Sequence, residues 1–264
     1  MSDNLVNIGM VTYNRLYFTK QAITSLIEHT HHPHLLTVID NNSTDGTQEY
    51  LLELYHQKVI KNLVLLDENI GVAKASNLAW VIGEEYDCDH YIKFDNDIII
   101  KKPNWIPPLV ELVNTIPKLG ITGYNVEPVI PEVSKLDGYT VRRKNLNLGG
   151  ACVLIPNRIK ERFGYWCEDY GFYAEEDMDY GLRLLYSDVI NAYAEDIYMA
   201  EHLDHSPEAK EDADYFTYFD FKHRCRHDAL YILGPNKERY LKDPSSRYLS
   251  TTMNPNNIQG KLYK

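Results

Sequence analysis

Residues 35–46 read LLTVIDNNSTDG. Five apolar or β-branched residues, Leu35 to Ile39, run without a charge, and seven turn and cap residues follow, Asp40 to Gly46. A short continuous run of this kind suits a strand buried on both faces, and the Asx, Ser and Gly cluster ends it. A helix is predicted next, to about Gln57. Strand, polar turn and helix make half of a βαβ unit.

The same pattern recurs outward in both directions. Upstream, Val6-Asn-Ile-Gly-Met-Val-Thr12 predicts a first strand, with Asn14 or Thr19 capping a helix to about Thr30. Downstream, Leu63–Leu66 predicts a third strand. The turn Asp67-Glu-Asn-Ile-Gly71 and a helix to about Glu85 follow, and His90–Phe94 is the fourth strand. Alternation of apolar strands with helices argues for a parallel sheet covered on both faces. Such sheets bind ligands beyond the carboxyl ends of their strands. Asp40, Asp67 and Asp95 lie at or just after three of those ends, so topology alone places a site there.

The second half is less regular. A short helix is predicted around Leu109–Val113, and a strand over Gly120–Tyr124. Asn125–Lys144, with Pro128 and Pro131, reads as an irregular insertion. Asn147–Ile155 is strand-like and contains Gly149 and Gly150, whose missing side chains allow close backbone approach. Helices are predicted over Glu175–Tyr186 and within Asp212–Leu233. The tail after Lys242 reads as poorly ordered.

The chain has 264 residues, enough for a substantial core, and a formal charge of −11. That charge disfavours nonspecific nucleic-acid binding, which needs a cationic footprint. Four cysteines show no metal or disulfide spacing. No leader pattern and no apolar run of membrane-spanning length is evident. The expectation is a cytoplasmic protein, with peripheral association at the inner face of a membrane left open. Twenty-one tyrosines suit carbohydrate or base recognition, or simply core.

The chemistry is densest at Tyr91–Ile100, YIKFDNDIII. Asp95 and Asp97 are two apart and share a side of an extended chain. Two converging carboxylates invite a divalent cation, and such an ion also holds a diphosphate. The bland alternative is a solvated turn after a strand.

Further segments accompany this one in order: Val11-Thr-Tyr-Asn-Arg15, Asp40-Asn-Asn-Ser-Thr-Asp-Gly-Thr47, Glu68-Asn-Ile-Gly-Val-Ala-Lys-Ala-Ser-Asn77, Phe94-Asp-Asn-Asp97, Phe163-Gly-Tyr-Trp-Cys-Glu168 and Glu175-Glu-Asp-Met-Asp-Tyr-Gly-Leu-Arg183. Together they resemble the GT-A glycosyltransferases, in particular the large inverting family 2, over roughly residues 5–206. Lys74 stands where many members carry arginine, and Cys167 where aspartate is common.

The resemblance implies an α/β fold of Rossmann-like, mostly parallel strands with an acceptor-side region. It divides the chain into a domain over 1–206, with donor and acceptor halves meeting near residue 100, and a C-terminal helical extension over 207–264. It implies that Asp40 receives the nucleoside and that Thr12, Tyr13 and Arg15 line the same cleft. Asn69, Gly71, Lys74 and Asn77 would sit near base, ribose or phosphates. Asp95 and Asn96 would face the donor, Asp95 reaching a metal through water. Asp97 and His202, or else His205, would ligate Mn2+ or Mg2+. Asp177 would be the general base, with Asp179 turned away to pair with Arg183. Glu176, Gly149, Gly150 and Trp166 would meet acceptor or sugar.

Alternatives stay open at single positions. Lys74 also reads as a surface lysine, and Glu175–Asp177 as acids favoured at a helix start. Trp166 also suits a core. Arg142 and Arg143, or Arg224 and Arg226, either close over a diphosphate or are plain surface cations.

The implied activity is metal-dependent inverting transfer of a sugar from a nucleoside-diphosphate donor, UDP-sugar first, to a hydroxyl of a glycan or glycolipid. Rivals are a noncatalytic carbohydrate- or nucleotide-sugar-binding protein on the same fold and a sugar nucleotidyltransferase. The latter lacks its glycine-rich basic loop at Gly9–Arg15. An oxidoreductase lacks its G-x-G-x-x-G.

Overall fold

Four parallel strands form where the apolar runs lie: β1 (Val6–Thr12), β2 (His34–Asp40), β3 (Asn62–Leu66) and β4 (His90–Asp95). They are joined by α1 (Leu16–His29), α2 (Thr47–His56) and α3 (Val72–Glu84). The computed structural model describes residues 4–144, 148–205, 215–246, 248 and 258–264.

Consecutive strand residues serve opposite faces. Val38 packs with Ile8, Met10, Ala22 and Ile23, whereas Ile39 packs with Val64, Leu78 and Ile82 of the α3 layer. Both faces are therefore dry, which is why the runs carry no alternation. Each fully buried Leu, Ile or Val contributes about 1.5–3 kcal/mol from its removal from water.

The strand order is β3-β2-β1-β4. β1 pairs in parallel with both neighbours, setting Thr12 opposite Asp40 and Val11 opposite Asp95. The winding reverses at β1, and a crevice opens beyond its carboxyl end.

After β4 the chain makes the short β5 (Ile98–Ile100), α4 (Ile106–Thr115) and β6 (Leu119–Gly123). A hairpin follows, β7 (Glu132–Leu136) and β8 (Tyr139–Arg143), and then β9 (Cys152–Pro156). Next come α5 (Asn157–Phe163), α6 (Glu176–Leu185), β10 (Ile190–Ala194) and β11 (Ala200–His202). β9 runs antiparallel between β4 and β6, so the ten-stranded sheet is mixed. β11 pairs antiparallel with β5, outside the main sheet, and puts His202 opposite Ile98.

Two expectations are corrected here. The insertion 125–144 is not irregular throughout: Asp137 (φ 47°) and Gly138 (φ 89°) form a two-residue hairpin turn, and β8 joins β10. Asp-Gly is the strongest short hairpin signal, and the nearby prolines masked it. The tail after Lys242 is not featureless, because β12 (Gly260–Tyr263) pairs with β3 and extends the sheet edge. Beyond residue 206, α7 (Tyr215–Lys242) packs on α6 and β12 on β3. The helix predicted within 212–233 begins, in its described part, at Tyr215 and runs on to Lys242. Asn147, Ser206 and 212–214 lie outside the described residues.

Candidate active site

The end of β4, the end of β11 and the loop after β1 meet at the carboxyl edge of the sheet. Asp97 is 5% exposed. The amide of Leu203 donates to its carbonyl at 2.8 Å, which holds the β11 end against it. Asp97, His202 and Asp204 each offer one ligand atom, all within 4.8 Å of one another. Asp97 Oδ1 has no hydrogen-bond donor among the described residues and lies 3.8 Å from His202 Nε2. His202 Nδ1 accepts the Asp204 amide at 3.1 Å. Two carboxylates and one imidazole form a donor set that fits a divalent ion such as Mn2+, and an unsatisfied buried oxygen agrees with a missing partner.

Cations already face this cluster. Arg15 Nη1 donates to Asp97 Oδ2 at 2.8 Å, and its Nη2 pairs with Asp204. Lys222 of α7 reaches Asp204 Oδ2 at 3.3 Å. Burial alone would raise the Asp97 carboxyl, but His202, Arg15 and Lys222 outweigh it and hold the group below the usual aspartate range. Asp204 and Lys222 were missed by sequence reading. The available signal was His202-x-Asp204, a pair bracketing one residue on a strand end, and a lysine opening the basic cluster 222–227.

A second acidic group sits beside the first. Lys93, 3% exposed, donates to Asp95 Oδ1 at 2.6 Å and to the Gly150 carbonyl at 3.1 Å. Burial would lower this lysine, yet Asp95, Glu176 and Asp177 keep it above its usual range. The Gly150 amide in turn donates to Asp177 Oδ2 at 3.2 Å. A Cβ at Gly150 would lie 3.2 Å from that of Asp177, so glycine here permits the close approach. Burial and Asp177 push the Glu176 carboxyl up to about 7 against the pull of Lys93, and its Oε2 has no hydrogen-bond partner among the described residues. Lys93 was also missed: a lysine inside an apolar strand two residues before an aspartate was the signal.

Both acidic motifs are presented by strained backbone. Asn14 and Arg15 have φ of 52° and 62°, and Ala174 and Glu175 have φ of 90° and 66°. Four non-glycine residues in positive φ immediately before α1 and α6 are costly, and such strain concentrates at functional sites. At the first pair, Asn14 accepts the Thr44 amide and Asp45 accepts that of Leu16, both at 2.8 Å.

α7 fixes α6 from behind. Asp179, fully buried, accepts from Tyr170 (3.0 Å), Asn236 (2.9 Å) and Tyr240 (2.9 Å) and pairs with Arg183 at 3.1 Å. Asp179 is thus committed to structure and Asp177 is left on the cleft side.

Several expected site residues lie elsewhere. Asp40 is fully buried and accepts from Thr12 Oγ1, the Ser43 amide, the Ser43 hydroxyl and Gln48, which uses both oxygens in this arrangement. Asp40 and Thr12 therefore build the turn rather than offer free groups to a base. Asn77 is fully buried, bonded to Trp166 and Glu168, and Trp166 is itself 1% exposed against Trp80 and Tyr180. Trp166 is core, not a sugar platform; an exposed aromatic further along the chain is Phe172, at 55%.

Gly71 and Asn69 shape the start of α3. Asn69 Oδ1 accepts the Gly71 amide, and the Val72 amide is taken by the Phe172 carbonyl. A Cβ at Gly71 would meet the Gly171 oxygen at 2.3 Å, so this glycine serves packing rather than phosphate approach. Lys74, half-buried, has no ion-pair partner among the described residues. Asn96 donates to Thr19 at 2.9 Å. Gly149 donates to the Tyr193 hydroxyl at 2.7 Å, and Tyr13 is half exposed. Asp67 is exposed.

Asp95 is outside the three-residue ligand group, held by Lys93. His205 lies in the short 3-10 turn after β11, and its side chain is outside the described residues. Arg142 is spent on the Glu195 and Pro131 carbonyls, tying the hairpin down. Arg143 lines a cleft of about 380 Å³ with Lys118 and Asp188, at the amino ends of β6 and β10 and away from the carboxyl edge. Arg226 lies 3.8 Å from Glu175, and Arg224 is exposed.

Comparison with known proteins agrees with this fold. A family model described as glycosyl transferase family 2 matches residues 7–152, more than half of the chain. Among solved structures, TarS from S. aureus is 16% identical, covering 75% of this chain and 36% of its own, at a TM-score of 0.58. The mannosyltransferase PcManGT from Pyrobaculum calidifontis, in complex with GDP-Man and Mn2+, is 15% identical, covering 91% and 70%, at 0.58. GalNAc-T7 with UDP, GalNAc and Mn2+ is 13% identical, covering 75% and 43%, at 0.57. At these identities the likeness shows the fold, and the chain spans about a third of TarS. No curated protein matches the chain significantly. No helix of the described residues is long and apolar enough to cross a membrane.

Proposed function

This chain belongs to glycosyl transferase family 2, and from that premise we propose that it transfers a sugar, with inversion, from a nucleoside-diphosphate donor to a hydroxyl of a glycan or glycolipid acceptor. The observation that carries this reading is the linkage of two acidic groups at one sheet edge. Asp97, His202 and Asp204 form one, and Asp177 reaches the other side through Gly150, Lys93 and Asp95.

Asp97, His202 and Asp204 would hold Mn2+, or Mg2+ in its place. The ion would offset charge on the leaving diphosphate. Asp177 accepts the proton of the acceptor hydroxyl at its cleft-side carboxylate. Gly150 orients that carboxylate by its amide. Lys93 keeps Asp95 and the Gly150 loop in place and supplies a buried positive charge beside three acids. Lys74, Tyr13 and Phe172 remain for donor and acceptor at the cleft margin.

The test is release of nucleoside diphosphate from UDP-, GDP- and dTDP-sugars with Mn2+, in the presence of simple sugar acceptors. Release with one nucleotide, abolished by EDTA, supports transfer. Binding of a nucleotide sugar without release under any acceptor favours a noncatalytic binder.

A further inference from the structure

Arg15 occupies an unusual place. Its guanidinium fork spans Asp97 and Asp204, two of the three candidate metal ligands, with one nitrogen on each. A planar fork bridging two carboxylates is a strong, geometrically specific arrangement. The backbone pays strain to place it, at φ 62°, and the Phe18 ring packs 4.3 Å beneath the guanidinium. Asp97 and Asp204 side chains are 7% and 13% exposed, so neither is screened as a surface carboxylate would be.

We propose that Arg15 is the resident counter-ion of the metal-ligand carboxylates, and that a divalent cation gains Asp97 and Asp204 by displacing its guanidinium onto the incoming diphosphate. This rests on the metal and nucleotide reading above. Charge counting supports it. Among the described residues, Asp97 and Asp204 carry two negative charges, and Arg15 and Lys222 two positive ones. A divalent ion brings two more positive charges to a partly buried place that already holds the two cations, which is unfavourable while both stay. A diphosphate arriving with the ion offsets those charges and gives the guanidinium a bidentate partner. Arg15 thereby couples metal binding to nucleotide binding and keeps the ligand carboxylates in register between turnovers. Its long side chain can reorient without moving α1.

The experiment counts free Mn2+ by electron paramagnetic resonance in titrations of the full chain, with and without UDP. Wild type is expected to bind Mn2+ weakly alone and about tenfold or more tightly with UDP. Arg15→Gln removes the competitor, so Mn2+ alone should bind about tenfold or more tightly than to wild type, and the enhancement by UDP should shrink. Arg15→Lys keeps the charge but cannot bridge both carboxylates, and should fall between the two. It keeps the test open if the glutamine variant does not fold. Lys222→Gln removes a charge that touches Asp204 alone, and a smaller gain is expected.

Equal Mn2+ affinity in wild type and Arg15→Gln, or a gain in Lys222→Gln as large as that in Arg15→Gln, would overturn displacement. Absence of Mn2+ binding to wild type and every variant, even with UDP, would instead remove the metal reading of the site.

Discussion

The motif residues fall into two regions with opposite hydrogen-bond economies. At the end of β2 and the start of α3, Asp40 and Asn77 are fully buried and saturated by protein donors and acceptors. At the end of β4 and the start of α6, Asp97 and Glu176 are nearly as buried, yet each keeps one oxygen without a hydrogen-bond donor among the described residues. Both regions hold carboxylates taken out of water. An unsatisfied buried polar atom costs about 1–3 kcal/mol. A fold tolerates that where a partner comes from outside. We read the difference as separating Asp40, which builds the cleft, from Asp97, which is proposed to work in it.

The sharpest way to break this contrast is to remove an unsatisfied acid. Asp97→Ala should reduce transfer to background, and Mn2+ should no longer enhance nucleotide binding in calorimetry. Next in size, Asp177→Asn should lower turnover by about 10²–10⁴-fold, the usual contribution of a general base. Nucleotide affinity should stay within a factor of two. A variant turning over normally would move the base to a different carboxylate.

A saturated acid should behave differently. Asp40→Ala leaves four donors unmatched and should cost about 3 kcal/mol in denaturant unfolding, with residual activity per folded molecule. Loss of activity at unchanged stability would place Asp40 among the working groups after all.

Glu176 gives a pH test. Its folded-state value, raised from 4.5 to about 7, means its contribution to stability is fully present below pH 4.5 and is lost as pH rises through about 7. Glu176→Gln mimics the protonated form. It should match wild type near pH 4.5 and exceed it above pH 7, by on the order of 3 kcal/mol. Smallest of all, Arg143→Ala should leave both stability and turnover within error, since it lies at the opposite edge of the sheet.

Much of the donor half was legible because each strand is an unbroken apolar run closed by a polar turn. Val6–Thr12 forms β1 with those same bounds, and the others shift by a residue or two. The hairpin at Asp137-Gly138 was hidden by prolines, although its turn residues announce it. The site was half legible. Asp95 and Asp97 stood out as acids in an apolar strand, but which cations hold them depended on long-range placement. Arg15 is 82 residues from Asp97, and Asp204 is brought in by pairing of β11 with β5. No local pattern encodes those distances. Trp166 misled for a related reason: an indole beside glycine and tyrosine carries no mark of which side faces water, and packing against Trp80 and Tyr180 decided it.

The most direct measurement is a thermal-shift comparison of wild type, Asp97→Asn and Asp40→Asn with UDP, each with Mn2+ and with EDTA. A ligand that binds only the folded state raises the melting temperature, by an amount that grows with the logarithm of its concentration over Kd. The expected result is an Mn2+-dependent rise in wild type, kept in Asp40→Asn from a lower starting point and lost in Asp97→Asn, whose starting point also falls because Arg15 loses its charged partner. A rise that survives in Asp97→Asn, or that vanishes in Asp40→Asn alone, would contradict the division between building and working acids.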